Sequence, residues 1–156
     1  MIIKTARFGN IKLEEKEIVT FVNPILGFKD TNRFVIVDSL DGEDFQFFQS
    51  IDDEHLTFLI TDPFIFNKKY EFDMAGRWLQ LLKLVDPADV LIKVIVTVRS
   101  SIDISINLKA PIIINSSTNE ATQIILDGSE YSTRYPLFGG KEEKGSDGEY
   151  ADPIKK

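Results

Sequence analysis

Cysteine is absent from this chain, and histidine occurs once, as His55. The first absence excludes disulfide scaffolds, thiolate nucleophiles and zinc–thiolate clusters. A single imidazole excludes paired-histidine metal sites and leaves little scope for acid–base chemistry at neutral pH. Positive charge is also in deficit. Lys and Arg number 18 against 25 Asp and Glu, giving a formal charge of −7 and an isoelectric point near 4.7. Nucleic-acid capture rests on Lys and Arg displacing counterions from phosphate, so direct nucleic-acid binding is not expected. The same charge favours a basic protein partner and speeds encounter with it. The sequence holds no G-x-G-x-x-G, P-loop or G-x-S-x-G motif. No apolar run reaches the roughly 20 residues that cross a bilayer as a helix, and the opening MIIKTARF lacks a signal-peptide core. The expectation is a cytoplasmic protein without metal, cofactor or membrane contact, one that binds rather than catalyses.

What is present is β-branched and aromatic. Twelve Phe accompany one Trp and four Tyr, and 43% of the 156 residues are hydrophobic, enough for one ordinary core. Runs rich in Ile, Val, Phe and Thr predict strands at 2–8, 17–22, 34–38, 45–51, 56–61, 90–98, 102–108, 111–115 and 122–126. Turn signals divide them, among them Phe8-Gly9-Asn10, Asn23-Pro24, Asp41-Gly42, Asp62-Pro63 and Asp127-Gly128. Period-two alternation in Phe45-Gln46-Phe47 and in Ile102–Ile106 marks half-buried antiparallel strands, whereas Val90–Val96 is apolar on both faces and reads as central. One helix is predicted near 74–85, where Met74, Trp78, Leu81, Leu82 and Val85 recur at helical spacing. Asp73 is its expected N-cap, and Asp86-Pro87 ends it. The predicted fold is mainly β, a compact antiparallel β-barrel or roll with one short helix. A single domain over 1–138 is expected, followed by a flexible, disordered charged tail at 139–156, where GGKEEKGSDGEYADPIKK offers almost nothing to bury.

Candidate chemistry is sparse. Asp52-Asp53-Glu54 beside His55 is the nearest thing to an active site, but consecutive turn residues point different ways and read as a solvated loop. Asp41-Gly42-Glu43-Asp44 lacks the spaced ligands of a calcium loop and reads as a hairpin turn. Phe64, Phe66, Tyr70 and Phe72 interleave with Lys68 and Lys69. Against the acidic balance, this stretch reads as core and rim rather than a base-stacking platform. Composition and pattern alone therefore describe an acidic, mainly β binding module. A small-ligand-binding β-barrel is the alternative, recognisable by a dry internal cavity, and a carboxylate hydrolase around His55 ranks behind it.

Several longer stretches carry more than generic strand character. MIIKTARFGNIKLEEKEIVTF leads into the turn Asn23-Pro24-Ile25-Leu26-Gly27-Phe28. FQFFQSID, LTFLITDPFIFNKKYEFDM, Val96-Thr97-Val98, NLKAPIIIN (107–115) and QIILDGSEYSTRYPL (123–137) follow in order. Together they resemble the family of the flagellar assembly factor FliW from Met1 to Leu137, most specifically in NLKAPIIIN and in the ending Tyr131, Arg134, Pro136. The family's early turn is of a Gly-x-Pro-Gly-Phe type; here Leu26 stands in the place of its proline, and Gly27 is kept. The resemblance implies a regulatory binding protein, not an enzyme. Its implied partners are flagellin and CsrA, an RNA-binding translational regulator that represses flagellin mRNA. Once flagellin is exported, the freed factor captures CsrA and relieves that repression. Under this implication Glu43, Asp44, Asp52, Asp53, Glu54, Glu71 and Asp73 are the candidate acidic surface for a partner rich in Lys and Arg. Phe64, Phe66, Tyr70 and Phe72 are the candidate apolar groove for an amphipathic flagellin helix.

Overall fold

The computed structural model describes residues 1–39 and 44–137; Glu43 and the tail predicted at 139–156 lie outside the described residues. The chain opens with a hairpin of β1 (Ile2–Thr5) and β2 (Gly9–Lys12). An antiparallel series follows: β3 (Ile18–Phe21), β4 (Arg33–Asp38), β5 (Phe45–Ser50) and β6 (Thr57–Thr61). Two short helices come next, α1 (Pro63–Phe66) and α2 (Gly76–Leu81). Then come the long β7 (Val90–Ser100), β8 (Asp103–Ile106), β9 (Ile112–Asn115), β10 (Glu120–Gln123) and the two-residue β11 (Tyr135–Pro136).

Pairing runs in the order β7–β6–β5–β4–β3–β10–β9, and β9 returns to β7, so the sheet closes on itself as a barrel. Closure rests on the length of β7. Its first residues, Val90–Lys93, pair with β9, Val94–Val96 pair with β6, and the stretch from Val96 to Ser100 pairs with β8. The run expected to be central is thus the described strand with three neighbours, β6, β8 and β9. The one parallel pair among the described strands is β3 with β10. The expectation of a mainly β, antiparallel barrel therefore holds with that single exception.

Alternate residues of the ring point inward and fill it. Val19, Phe21, Phe34, Phe48, Ile60, Ile112, Ile114 and Ala121 are buried together, with Ile25 from the early turn. The rings of Phe21, Phe34 and Phe48 lie 5.6–5.9 Å apart in edge-on or tilted contacts. An interior packed with side chains counts against the ligand-binding barrel considered above. Three further clusters cover the outside. The β1–β2 hairpin sets Ile3 and Leu13 on Val35, α2 with its following turn sets Leu82 on Ile113 and Ile124, and Tyr70, Leu108 and Leu137 pack beside β7 and β8.

The helix differs from its prediction. It spans six residues, with Ala75 rather than Asp73 at the N-cap and no side-chain cap bond. Its end is set by Lys83, which takes φ +55°. There the Leu84 N–H donates to the Leu79 carbonyl at 2.9 Å and the Lys83 N–H to the Gln80 carbonyl at 3.1 Å. This pair of bonds satisfies the last carbonyls and stops the helix, with lysine where glycine is usual. Val85, assigned to the apolar face, is 93% exposed. The other helix, α1, was not predicted, although Asp62 accepts from the Phe64 N–H at 2.8 Å and Pro63 occupies the first helical position.

Candidate partner-binding surface

The structure divides the candidate acidic residues among three places. Asp44 immediately precedes β5 and is exposed, whereas Asp52, Asp53 and Glu54 follow that strand. A strand of this length holds the two groups roughly 20 Å apart. Asp52 is engaged: Arg33 Nη2 donates to its Oδ1 at 2.5 Å and Arg33 Nε to its Oδ2 at 3.3 Å. That hydrogen bond and then the carboxylate's charge raise the Arg33 pKa above its ordinary value. Asp53 accepts from the His55 N–H at 3.0 Å, closing a side-chain turn. Glu54 lies 3.6 Å from His55 Nε2, at the hairpin's outer end. Asp52–Glu54 thus forms a turn braced by its own carboxylates, with Asp53 exposed and Asp52 tied to β4.

The aromatic candidates separate by depth. Tyr70 is 2% exposed, and its hydroxyl donates to the Leu108 carbonyl at 2.7 Å. Burial, followed by the neighbouring Tyr131, raises its pKa well above the usual tyrosine range. Tyr70 is therefore a core anchor and does not line an open groove. Phe66 is half-buried, 5.8 Å from Phe45. Phe64 and Ile65 on α1 are the exposed members, at 38% and 43%.

Glu71, Phe72 and Asp73 do come together, in a cleft of about 430 Å³ that they share with Trp78, Ile125, Asp127 and Tyr131. Its walls are held by Tyr131. The Glu71 N–H donates to the Tyr131 hydroxyl oxygen at 2.9 Å, and that hydroxyl donates to the Glu71 carbonyl at 3.0 Å. The Tyr131 ring stands edge-on to Tyr70 at 4.7 Å. Arg77 lies over the Trp78 ring at 4.8 Å. Sequence reasoning flagged Tyr131 only as part of a motif, and it missed Trp78, Ile125 and Asp127 as surface residues. The turn signal Asp127-Gly128 after an apolar run was the available clue. Among the described residues no set of three or more His, Cys, Asp or Glu is placed to hold a metal ion. No helix among them is long and apolar enough to cross a membrane.

The FliW family model matches residues 2–137, which is the whole described barrel and its flanking elements. The chain belongs to the FliW family. The flagellar assembly factor FliW of Bacillus velezensis is 40% identical over 141 residues, covering 90% of this chain and 99% of that protein. The same factor from Clostridium botulinum is 40% identical over 144 residues, covering 92% and 99%, and that from Ruminiclostridium cellulolyticum is 35% identical over 140 residues, covering 88% and 95%. A crystal structure of the flagellar assembly factor FliW superposes with a TM-score of 0.84 at 34% identity, covering 91% of this chain and 100% of that one. The family read from the motifs and the mainly β fold both stand, and the FliW assignment gives the chain a role in flagellar assembly.

Proposed function

We propose that this FliW-family chain regulates flagellum assembly by stoichiometric binding in the cytoplasm: it holds flagellin and, when released, captures CsrA and relieves repression of flagellin mRNA translation. It carries out no reaction of its own. Family membership across residues 2–137 carries this reading. The formal charge of −7 agrees with it, because an RNA-binding partner presents Lys and Arg. Among the candidate acidic residues, Asp53 and Glu54 are better probes of association than Asp52, whose reversal also breaks the Arg33 pair. Glu43, outside the described residues, belongs to the same proposal, as do Asp44 and the exposed aromatic Phe64.

The test is co-elution of the purified protein with flagellin and, separately, with CsrA on a sizing column. Discrete complexes of fixed stoichiometry are expected with each. Failure to co-elute with either at micromolar concentrations overturns the reading. Reversing Asp53 and Glu54 to Lys should slow association with CsrA at low salt, and the difference should shrink as salt rises.

A further inference from the structure

The cleft between Glu71, Trp78 and Tyr131 lies at the seam of two packing clusters. Phe72 and Leu126 pack against both, Tyr131 packs against the cluster beside β7 and β8, and Trp78 packs against Leu82, Ile113 and Ile124. Its walls are therefore set by the core. Backbone bonds fix the rim as well. Besides the two bonds between Tyr131 and Glu71, the Trp78 N–H donates to the Ala75 carbonyl at 2.9 Å and the Ser129 N–H to the Leu126 carbonyl at 3.2 Å. A pre-formed site of this kind loses little freedom when it is occupied. Charge inside it is not balanced. Glu71, Asp73 and Asp127 line the cleft with three carboxylates, against the single guanidinium of Arg77. Among the described residues, none of these three side chains has an ion-pair partner. Arg77 lies instead over the Trp78 ring at 4.8 Å. The cleft thus already holds one guanidinium on an aromatic face while its acids stay unpaired.

We infer that this cleft receives an arginine side chain from an exposed loop of a partner protein, with the guanidinium among Glu71, Asp73 and Asp127 and the stem against Phe72 and Tyr131. Charge complementarity sets the occupant. A neutral apolar group would strip water from three carboxylates without pairing them, whereas a cation supplies the missing partner. Arginine suits the arrangement better than lysine. Its planar fork of donors can meet more than one carboxylate and stack on a ring in the same pose, as Arg77 stacks on Trp78. The cleft volume of about 430 Å³ lies within the roughly 300–1,000 Å³ of ordinary binding clefts. It admits one long side chain with part of the loop that carries it. Arginine buried in a pocket is also a frequent anchor of protein interfaces. Arg77, the one like charge lining the cleft, opposes the incoming guanidinium and so limits how tightly it is held. The inference stands on the cleft alone, independently of flagellin and CsrA.

The test titrates the full chain with the capped tripeptide acetyl-Val-Arg-Val-amide, read by the emission of Trp78, the sole tryptophan. Saturable one-to-one binding is expected. The same peptide with citrulline for arginine keeps the shape and loses the charge. It should bind about tenfold more weakly, the combined scale of an exposed cation–π contact and a rim ion pair. Asp127→Asn should weaken binding of the arginine peptide about threefold, the scale of one such pair. Asp53→Asn, outside the cleft, should leave it unchanged. Arg77→Ala should tighten it about threefold, because a like charge leaves the cleft. Equal binding of the citrulline peptide overturns the inference, as does the absence of a saturable response. So does equal weakening by Asp127→Asn and Asp53→Asn, which would reduce the effect to the general surface charge, or weaker binding by Arg77→Ala. Because the citrulline comparison leaves the protein unchanged, the inference can fail without any variant.

Discussion

Replacing Tyr70 with Phe tests how the segment bearing the cleft is fastened to the barrel. The Tyr70 hydroxyl lies in the core and donates to the Leu108 carbonyl at 2.7 Å, with Tyr70 2% and Leu108 1% exposed. Tyr70→Phe keeps the ring contacts with Phe64, Phe72 and Tyr131 but leaves that carbonyl without its partner. An orphaned buried acceptor costs about 1–3 kcal/mol, and the loss is expected at pH 7. The pH dependence adds a second signature. Burial raises the folded-state pKa of Tyr70 above its ordinary value of 10.0. The folded state therefore keeps this proton at a pH where the unfolded chain releases it. The stabilising contribution is complete below about pH 10 and declines as pH rises above it, by about 1.4 kcal/mol per pH unit at most. The variant lacks this group, so the gap between the two proteins should narrow between pH 10 and 11. Urea unfolding followed by Trp78 fluorescence from pH 7 to 11 measures it. The remaining tyrosines ionise in both proteins and cancel in the difference. A gap that is absent at pH 7, or constant through pH 11, refutes the assignment of Tyr70 as a buried, neutral donor.

Three further outcomes are expected. Gly27 sits at φ +89° with open space around its Cα, so Gly27→Ala introduces backbone strain without a clash; a loss of about 1 kcal/mol and a melting temperature lower by about 3–6 °C follow. Lys83→Gly should stabilise by about 0.5–1 kcal/mol, because lysine holds a left-handed position that ends α2, less what is lost from its exposed pairing with Glu120; a lower midpoint in urea would contradict this. A double-mutant cycle on Arg33 and Asp52, both more than a third exposed, should give a coupling under about 1 kcal/mol that shrinks with added salt.

The strands were legible where side chains alone decide the structure. Phe34–Asp38 and Val90–Val98 carry dense β-branched and aromatic runs, and both form strands close to the expected limits. Gly9–Lys12 and Tyr135–Pro136 were not legible, because their pairing with Ile2–Thr5 and with β8 depends on the partner strand rather than on their own residues. The helix was overextended because periodicity treated Val85 as apolar face and could not register the reversal at Lys83. Barrel closure was named only as a class, since the β7–β9 contact is long-range and leaves no local mark. At the surface, an acidic patch read from neighbouring letters dispersed once β5 separated Asp44 from Asp52–Glu54. Conversely, Glu71 and Asp127 lie far apart in sequence yet line one cleft, because Tyr131 ties the Glu71 backbone to the β10–β11 connection.

The most direct test of the account is titration calorimetry of this protein into CsrA, performed once with the free protein and once with flagellin already bound. Fixed-stoichiometry binding in the first titration and its suppression in the second is the predicted result. Absence of heat in the first, or equal binding in both, contradicts an exchange of partners on one regulatory protein.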